Sequence, residues 1–131
     1  MNFRRESAVE AWVGLAESDL RIAKLILRAE PPEWHQVCFH AQQAAEKALK
    51  SLLEAQGLSI PGTHDVRHVA TLLEPTFPDV VAVRDSAAAI TVHAVMPRYP
   101  AVAFMPTEAM ARKAVADAEA IVVWPLSHLE A

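Results

Sequence analysis

The chain has 131 residues, of which 53% are hydrophobic and 21% charged. That balance excludes a disordered polymer, and the length suffices for one core without disulfide or metal staples. A formal net charge of -4 excludes a broadly basic nucleic-acid clamp and leaves only a local basic patch for such a role. A mean hydropathy of +0.16 is high for so small a domain, which must leave apolar surface uncovered and so favours self-association. Cys38 is the only cysteine, which precludes an intrachain disulfide and suits a reducing cytoplasm. Within an apolar helical stripe it reads as core filler. No apolar run follows Arg4 and Arg5, and none reaches membrane-spanning length. The expectation is a cytoplasmic protein with no signal peptide and no membrane contact.

In the first segment Val9, Val13, Ala16, Leu20, Ala23 and Leu27 recur at steps of four, three, four, three and four, a helical heptad stripe. Leu15, Ile22 and Ile26 fall on a neighbouring face, so this helix has more than one partner. Pro31-Pro32 ends it. A second helix runs from about Glu33 to Gln56, where Trp34, Cys38, Ala41, Ala45, Ala48 and Leu52 repeat the spacing. Two long helices with a short proline-rich link predict an antiparallel hairpin, and the central alanines permit close axes. Gly57 is the expected C-cap and Pro61-Gly62 a turn.

Thr63 is the expected N-cap of a short third helix reaching Glu74, with Asp65 favouring its dipole. Residues from about Asp79 to Val95 suggest a fourth helix, and Met96 to Pro106 a proline-rich loop. Thr107 caps a last helix carrying Ala111, Val115, Ala118 and Val122, which Pro125 is expected to end. The pattern predicts a single all-α domain over residues 1–131, a four- to five-helix up-and-down bundle built on the two long N-terminal antiparallel helices.

His40, Gln43, Lys47 and Lys50 follow one another at steps of three, four and three, lining the side of the second helix opposite its Ala/Leu stripe. They form either a binding strip, with amides for base edges and lysines for phosphates, or a solvated face with a Glu46–Lys50 i,i+4 pair. Phe39 projects near that side, which implies a second surface packed there. His64-Asp65-Val66-Arg67-His68 has metal-pair spacing and resembles the zincin string with Asp in place of Glu. No third ligand is evident beside it, although His93 is a candidate in space, so capping and polar surface is the better account. No metal and no cofactor are expected. Arg98-Tyr99-Pro100 offers a cationic fork and an aromatic face for a nucleotide or partner; alternatively Tyr99 anchors the loop and Arg98 caps a helix.

Three strings taken in order resemble the HEPN family (higher eukaryote and prokaryote nucleotide-binding). They are Ala41-Gln42-Gln43-Ala44-Ala45-Glu46-Lys47-Ala48-Leu49-Lys50, then Thr63-His64-Asp65, then Arg98-Tyr99-Pro100. Trp12 and Ser18-Asp19-Leu20 also fit. The resemblance implies a helical domain, commonly a homodimer, often paired with a minimal nucleotidyltransferase and in some cases acting as toxin and antitoxin. Many members are ribonucleases whose site is an arginine, four to six residues, then a histidine, working at the dimer interface. This chain departs from that pattern. After Arg98 the next histidine is His128, too distant; Arg84 and His93 are too widely spaced; Arg28 and His35 straddle the first interhelical link. Arg98 supplies a cation, but no histidine supplies the proton transfer that cleavage needs. No catalytic residue is assigned.

The expectation is a non-catalytic member, dimeric, partnering a minimal nucleotidyltransferase and binding a nucleotide through His40, Gln43, Lys47, Lys50, His64, Asp65, Arg98 and Tyr99. The alternative is an RNA-cleaving toxin of a toxin–antitoxin pair with an atypical site, for which His64 and His93 are the candidate proton carriers.

Overall fold

A computed structural model of the chain describes residues 3–91 and 105–129. Among these residues the α-helices are α1 (Phe3–Leu27), α2 (Trp34–Ala55), α3 (Val66–Leu73), α4 (Val81–Thr91) and α5 (Glu108–Leu129), with a 3-10 turn at Pro78–Val80. This is the all-α bundle that the heptad spacings predict. None of these helices is long and apolar enough to cross a membrane.

The α1–α2 hairpin is antiparallel, as its contacts show. Moving back along α1 through Asp19, Trp12 and Arg5, the neighbours advance along α2 from His40 and Lys47 to Lys50 and then to Gly57 just past its end. The stripes meet as predicted: Ala16 and Ala23 of α1 and Cys38, Ala41, Ala45, Ala48 and Leu52 of α2 are buried. Alanine at the centre of α2 removes bulk that would hold the axes apart. Burial also pushes the Cys38 thiol up to about 11, so it stays protonated and serves as packing.

Helix α2 touches every other α-helix, packing most extensively on α1 and α5. Its buried residues therefore run round most of its circumference, from Val37, Leu49 and Leu53 to Gln42, Glu46 and Lys50. Helix α5 lays the predicted Ala111, Val115, Ala118 and Val122 against it. A fully buried leucine such as Leu49 or Leu73 contributes about 1.5–3 kcal/mol relative to leaving it in water.

The helix ends depart from expectation in three places. Asp65, rather than Thr63, is the N-cap of α3: its carboxylate accepts from the His68 N–H at 3.1 Å, while the Thr63 hydroxyl accepts from the Asp65 N–H at 3.0 Å. The threonine shapes the turn and the aspartate caps the helix. Pro125 does not end α5, which continues to Leu129. Pro125 is buried, and its neighbours Trp124 and His128 both bond to Asp79, so packing and two polar ties outweigh the lost backbone bond. Gln56 is the C-cap of α2, and Gly57, expected in that place, closes the helix one residue later at φ 71. A side chain there would be strained, and its Cβ would come within 2.7 Å of the Arg5 guanidinium.

Asp79 thus clasps the end of α5 to the turn that opens α4. Its Oδ2 accepts from Trp124 Nε1 at 2.9 Å and lies 2.7 Å from His128 Nε2, and the Phe77 ring lies 4.6 Å from the His128 ring. The Trp124 bond, followed by the bond and charge of His128, holds the Asp79 carboxyl below its ordinary 3.8. A carboxyl lowered by folding adds stability above its unfolded value and loses it as pH falls through its folded value. In an NMR titration the Trp124 indole N–H resonance should shift with a midpoint below 3.8. A midpoint at or above that value would mean the clasp does not hold in solution.

Candidate functional site

The polar side chains of α2 stand one turn apart because the helix repeats every 3.6 residues. Gln42, Glu46 and Lys50, at i, i+4 and i+8, form one ladder, and His40, Gln43 and Lys47 form a second beside it. Each ladder is met by a carboxylate. In the first, Lys50 Nζ donates to Glu46 Oε2 at 2.9 Å and to the Thr63 carbonyl at 3.1 Å, with the Trp12 ring 5.8 Å away. Gln42 Nε2 donates to Glu46 Oε1 at 3.1 Å and to the His64 carbonyl at 2.8 Å, and His64 Nδ1 lies 2.9 Å from Glu46 Oε1. In the second, Asp19 of α1 receives Lys47 Nζ on Oδ2 at 2.6 Å and faces His40 Nδ1 with Oδ1 at 2.9 Å. Gln43 Nε2 donates to Gln42 Oε1 at 2.8 Å and joins the two ladders.

The α2 face is therefore not a solvated surface. The Lys50 and Glu46 side chains are 6% and 4% exposed, and Gln42 is fully buried. The walls are α1, with Asp19 and Trp12, and the 56–65 connection, with Thr63 and His64. The rim is half open: His64 is 48% exposed, and His40 and Lys47 are partly buried. Five of the sequence-predicted residues, His40, Gln43, Lys47, Lys50 and His64, come together in this seam. Asp65 stands apart as the α3 cap. Arg98 and Tyr99, and with them His93, lie outside the described residues.

Three seam members were not assigned from the sequence: Asp19, Gln42 and Glu46. Gln42-x-x-x-Glu46-x-x-x-Lys50 is visible as an i,i+4 ladder, which is the available signal. Asp19 was marked only by the family resemblance of Ser18-Asp19-Leu20, since its partners lie 21 and 28 residues away.

Two carboxylates thus face two ammonium groups inside the seam. That matching leaves little field to attract a phosphate polyanion, and Lys50 in particular has two of its three donors occupied. An ionised carboxylate offers only acceptor sites, so at 2.9 Å the Nδ1 atoms of His40 and His64 are the donors to Asp19 and Glu46. Oriented imidazoles of this kind suit proton transfer. Among the described residues no three His, Cys, Asp or Glu side chains are grouped to hold a metal ion. Among the described residues a shallow groove is lined by Val83, Ala116, Ala120, Val123 and Trp124, and another by Arg5, Glu6, Val9, Ala55 and Leu129.

An all-α domain whose central helix carries a walled-in polar seam defines the class of protein. The HEPN domain profile matches residues 9–129, and the chain belongs to that family. The fold is similar to ST0689, an archaeal HEPN homologue, with a TM-score of 0.73 and 28% identity over 92% of this chain and 96% of that one. It is also similar to TT1696 from Thermus thermophilus, with a TM-score of 0.78 and 25% identity over 91% of this chain and 96% of the other. No curated protein sequence matches the chain.

Removing one partner of the Glu46–Lys50 pair leaves a buried charge unmatched. Glu46→Ala should cost about 3–5 kcal/mol in chemical denaturation. Glu46→Leu combined with Lys50→Met should cost much less, because neither charge then needs solvation. A single-variant loss under about 1 kcal/mol, the range of surface pairs, would contradict the burial described.

Proposed function

We propose that this HEPN-domain protein is a non-catalytic association module, a homodimer that partners a minimal nucleotidyltransferase. The single observation carrying this reading is that the basic residues of α2 are consumed inside the fold. Lys50 and Lys47 neutralise Glu46 and Asp19 instead of waiting for a phosphate. A chain whose central polar residues hold its own helices together acts through its outer surface, and that surface carries large apolar side chains at Leu15, Leu25, Val81 and Val123. A nucleotide is a secondary ligand, its place being the half-open rim formed by His40, Gln43, Lys47 and His64.

The second reading, an RNA-cleaving toxin, draws on the two carboxylate-oriented histidines. It places proton transfer on the Nε2 atom of His40 or His64, with Lys47 or Arg98 as the cation.

Purified protein is expected to leave a mixed-sequence RNA intact, and affinity capture from its native cells is expected to retain a nucleotidyltransferase in stoichiometric amount. Cleavage that disappears in His40→Ala or His64→Ala protein would overturn the first reading in favour of the second. Capture of this chain alone would remove the partnership.

A further inference from the structure

Each ion pair of the seam has a third member that can change its charge. Asp19 meets the Lys47 ammonium at 2.6 Å and the His40 imidazole at 2.9 Å. Glu46 meets the Lys50 ammonium and the His64 imidazole, both at 2.9 Å. Each cluster therefore holds a carboxylate, an ammonium and an imidazole. Its formal charges cancel while the imidazole is neutral and leave one net positive charge once the ring takes a proton. Histidine is the side chain that makes this change between roughly pH 8 and pH 5.

The surroundings leave that added charge unmatched. Asp19 and Glu46 are already neutralised by the lysines, and the acids of α5 are paired elsewhere, Glu108 with Arg112, Asp117 with Lys113 and Glu119 with Lys24. From α1 the Trp12 ring faces Lys50, and the Phe39 ring of α2 stands 5.3 Å from that of His40. Beyond His64, Asp65 caps α3, while Arg67 and His68 are exposed and make no ion pair with a described residue. Protonation also gives each ring a second N–H, on Nε2, the nitrogen that the carboxylate does not hold. The His64 side chain is 48% exposed and that of His40 24%, so both lie within reach of a solute.

We propose that this half-open rim is an acid-gated anion site, which takes a phosphate-type dianion only when His40 and His64 are protonated. The proposal rests on the nucleotide rim of the reading above and adds the condition under which it binds. With both rings neutral the seam is balanced and holds no net charge for an anion. With both protonated the rim carries two positive charges and two further donors, while Lys47 and Lys50 keep their partners.

The probe is sulfate, which keeps both of its charges across this pH range, so a change in its binding belongs to the protein. Calorimetry with the full chain at constant ionic strength should show sulfate binding about tenfold tighter near pH 6 than near pH 8. His40→Gln with His64→Gln keeps an N–H for each carboxylate but cannot gain a charge, and should bring that ratio below about twofold. If circular dichroism shows that the double variant has lost helicity, the single variants decide, each expected to leave about a threefold ratio. His68→Gln should leave the full ratio. ATP and tripolyphosphate compared near pH 6 separate the sources of the dianion: tighter ATP assigns a nucleotide, equal affinity a free polyphosphate. A ratio near one in the wild type, one that survives loss of both rim histidines, or one that vanishes with His68→Gln would overturn the gate. ATP bound equally at both pH values, with the His40 and His64 resonances shifting, would overturn the gate and leave the nucleotide rim standing. No anion bound at either pH would end both.

Discussion

The Glu46 carboxylate and the Lys50 ammonium, held 2.9 Å apart inside the bundle, constrain the structure more than any other contact. Each would cost several kcal/mol to take out of water alone. The fold offsets that cost by surrounding the pair with Gln42, His64 and the Thr63 carbonyl. Because the pair sits on the helix that every other helix touches, satisfying it fixes more than one local turn. It draws the 56–65 connection onto α2, and that connection in turn sets where Asp65 starts α3. Asp19 does the same for α1 through His40 and Lys47. The Ala-rich stripe of α2 is smooth enough to accept neighbouring registers, whereas sliding α1 by one turn would strand Asp19 and Lys47. Apolar packing supplies the bulk of the stability, and the ionic seam selects one arrangement.

Much of the fold was legible because its helices announce themselves by period. The stripes of α1, α2 and α5 were read at the right residues, and Gly57 closes α2 one residue past its cap. The errors lie where tertiary packing overrides a local rule. Pro125 normally stops a helix, but burial of its ring and the Asp79 ties carry α5 past it. Thr63 and Asp65 are both good caps by type, and which one serves depends on the turn that the seam imposes.

The candidate site was legible only by halves. Spacing put His40, Gln43, Lys47 and Lys50 on one side of α2 correctly, but amphipathicity implies that a polar side faces water. That implication suits a helix at the surface, and α2 is in the middle. A buried polar face needs partners, and Asp19 and His64 come from distant sequence. The Glu46–Lys50 pair was visible in its spacing, whereas its burial was not. The inverse holds on α1, where an apolar stripe faces outward. Charge inside and hydrocarbon outside go together: a small bundle that uses its polar residues to fix its own geometry is left with apolar side chains such as Leu15 and Leu25 in water.

Both α2 lysines are held in the seam, Lys50 deep inside it and Lys47 at its rim. The chain has lysines only at positions 24, 47, 50 and 113, and the pair at 24 and 113 stands at the surface. Timed reaction with an amine-acylating reagent, read by mass spectrometry of peptides, separates these classes directly. Lys24 and Lys113 should react quickly, Lys47 should lag, and Lys50 should react only when the protein unfolds. Lys50 acylated in the native protein as fast as Lys113 would contradict it, for the seam would then be an open face and its lysines free for a ligand.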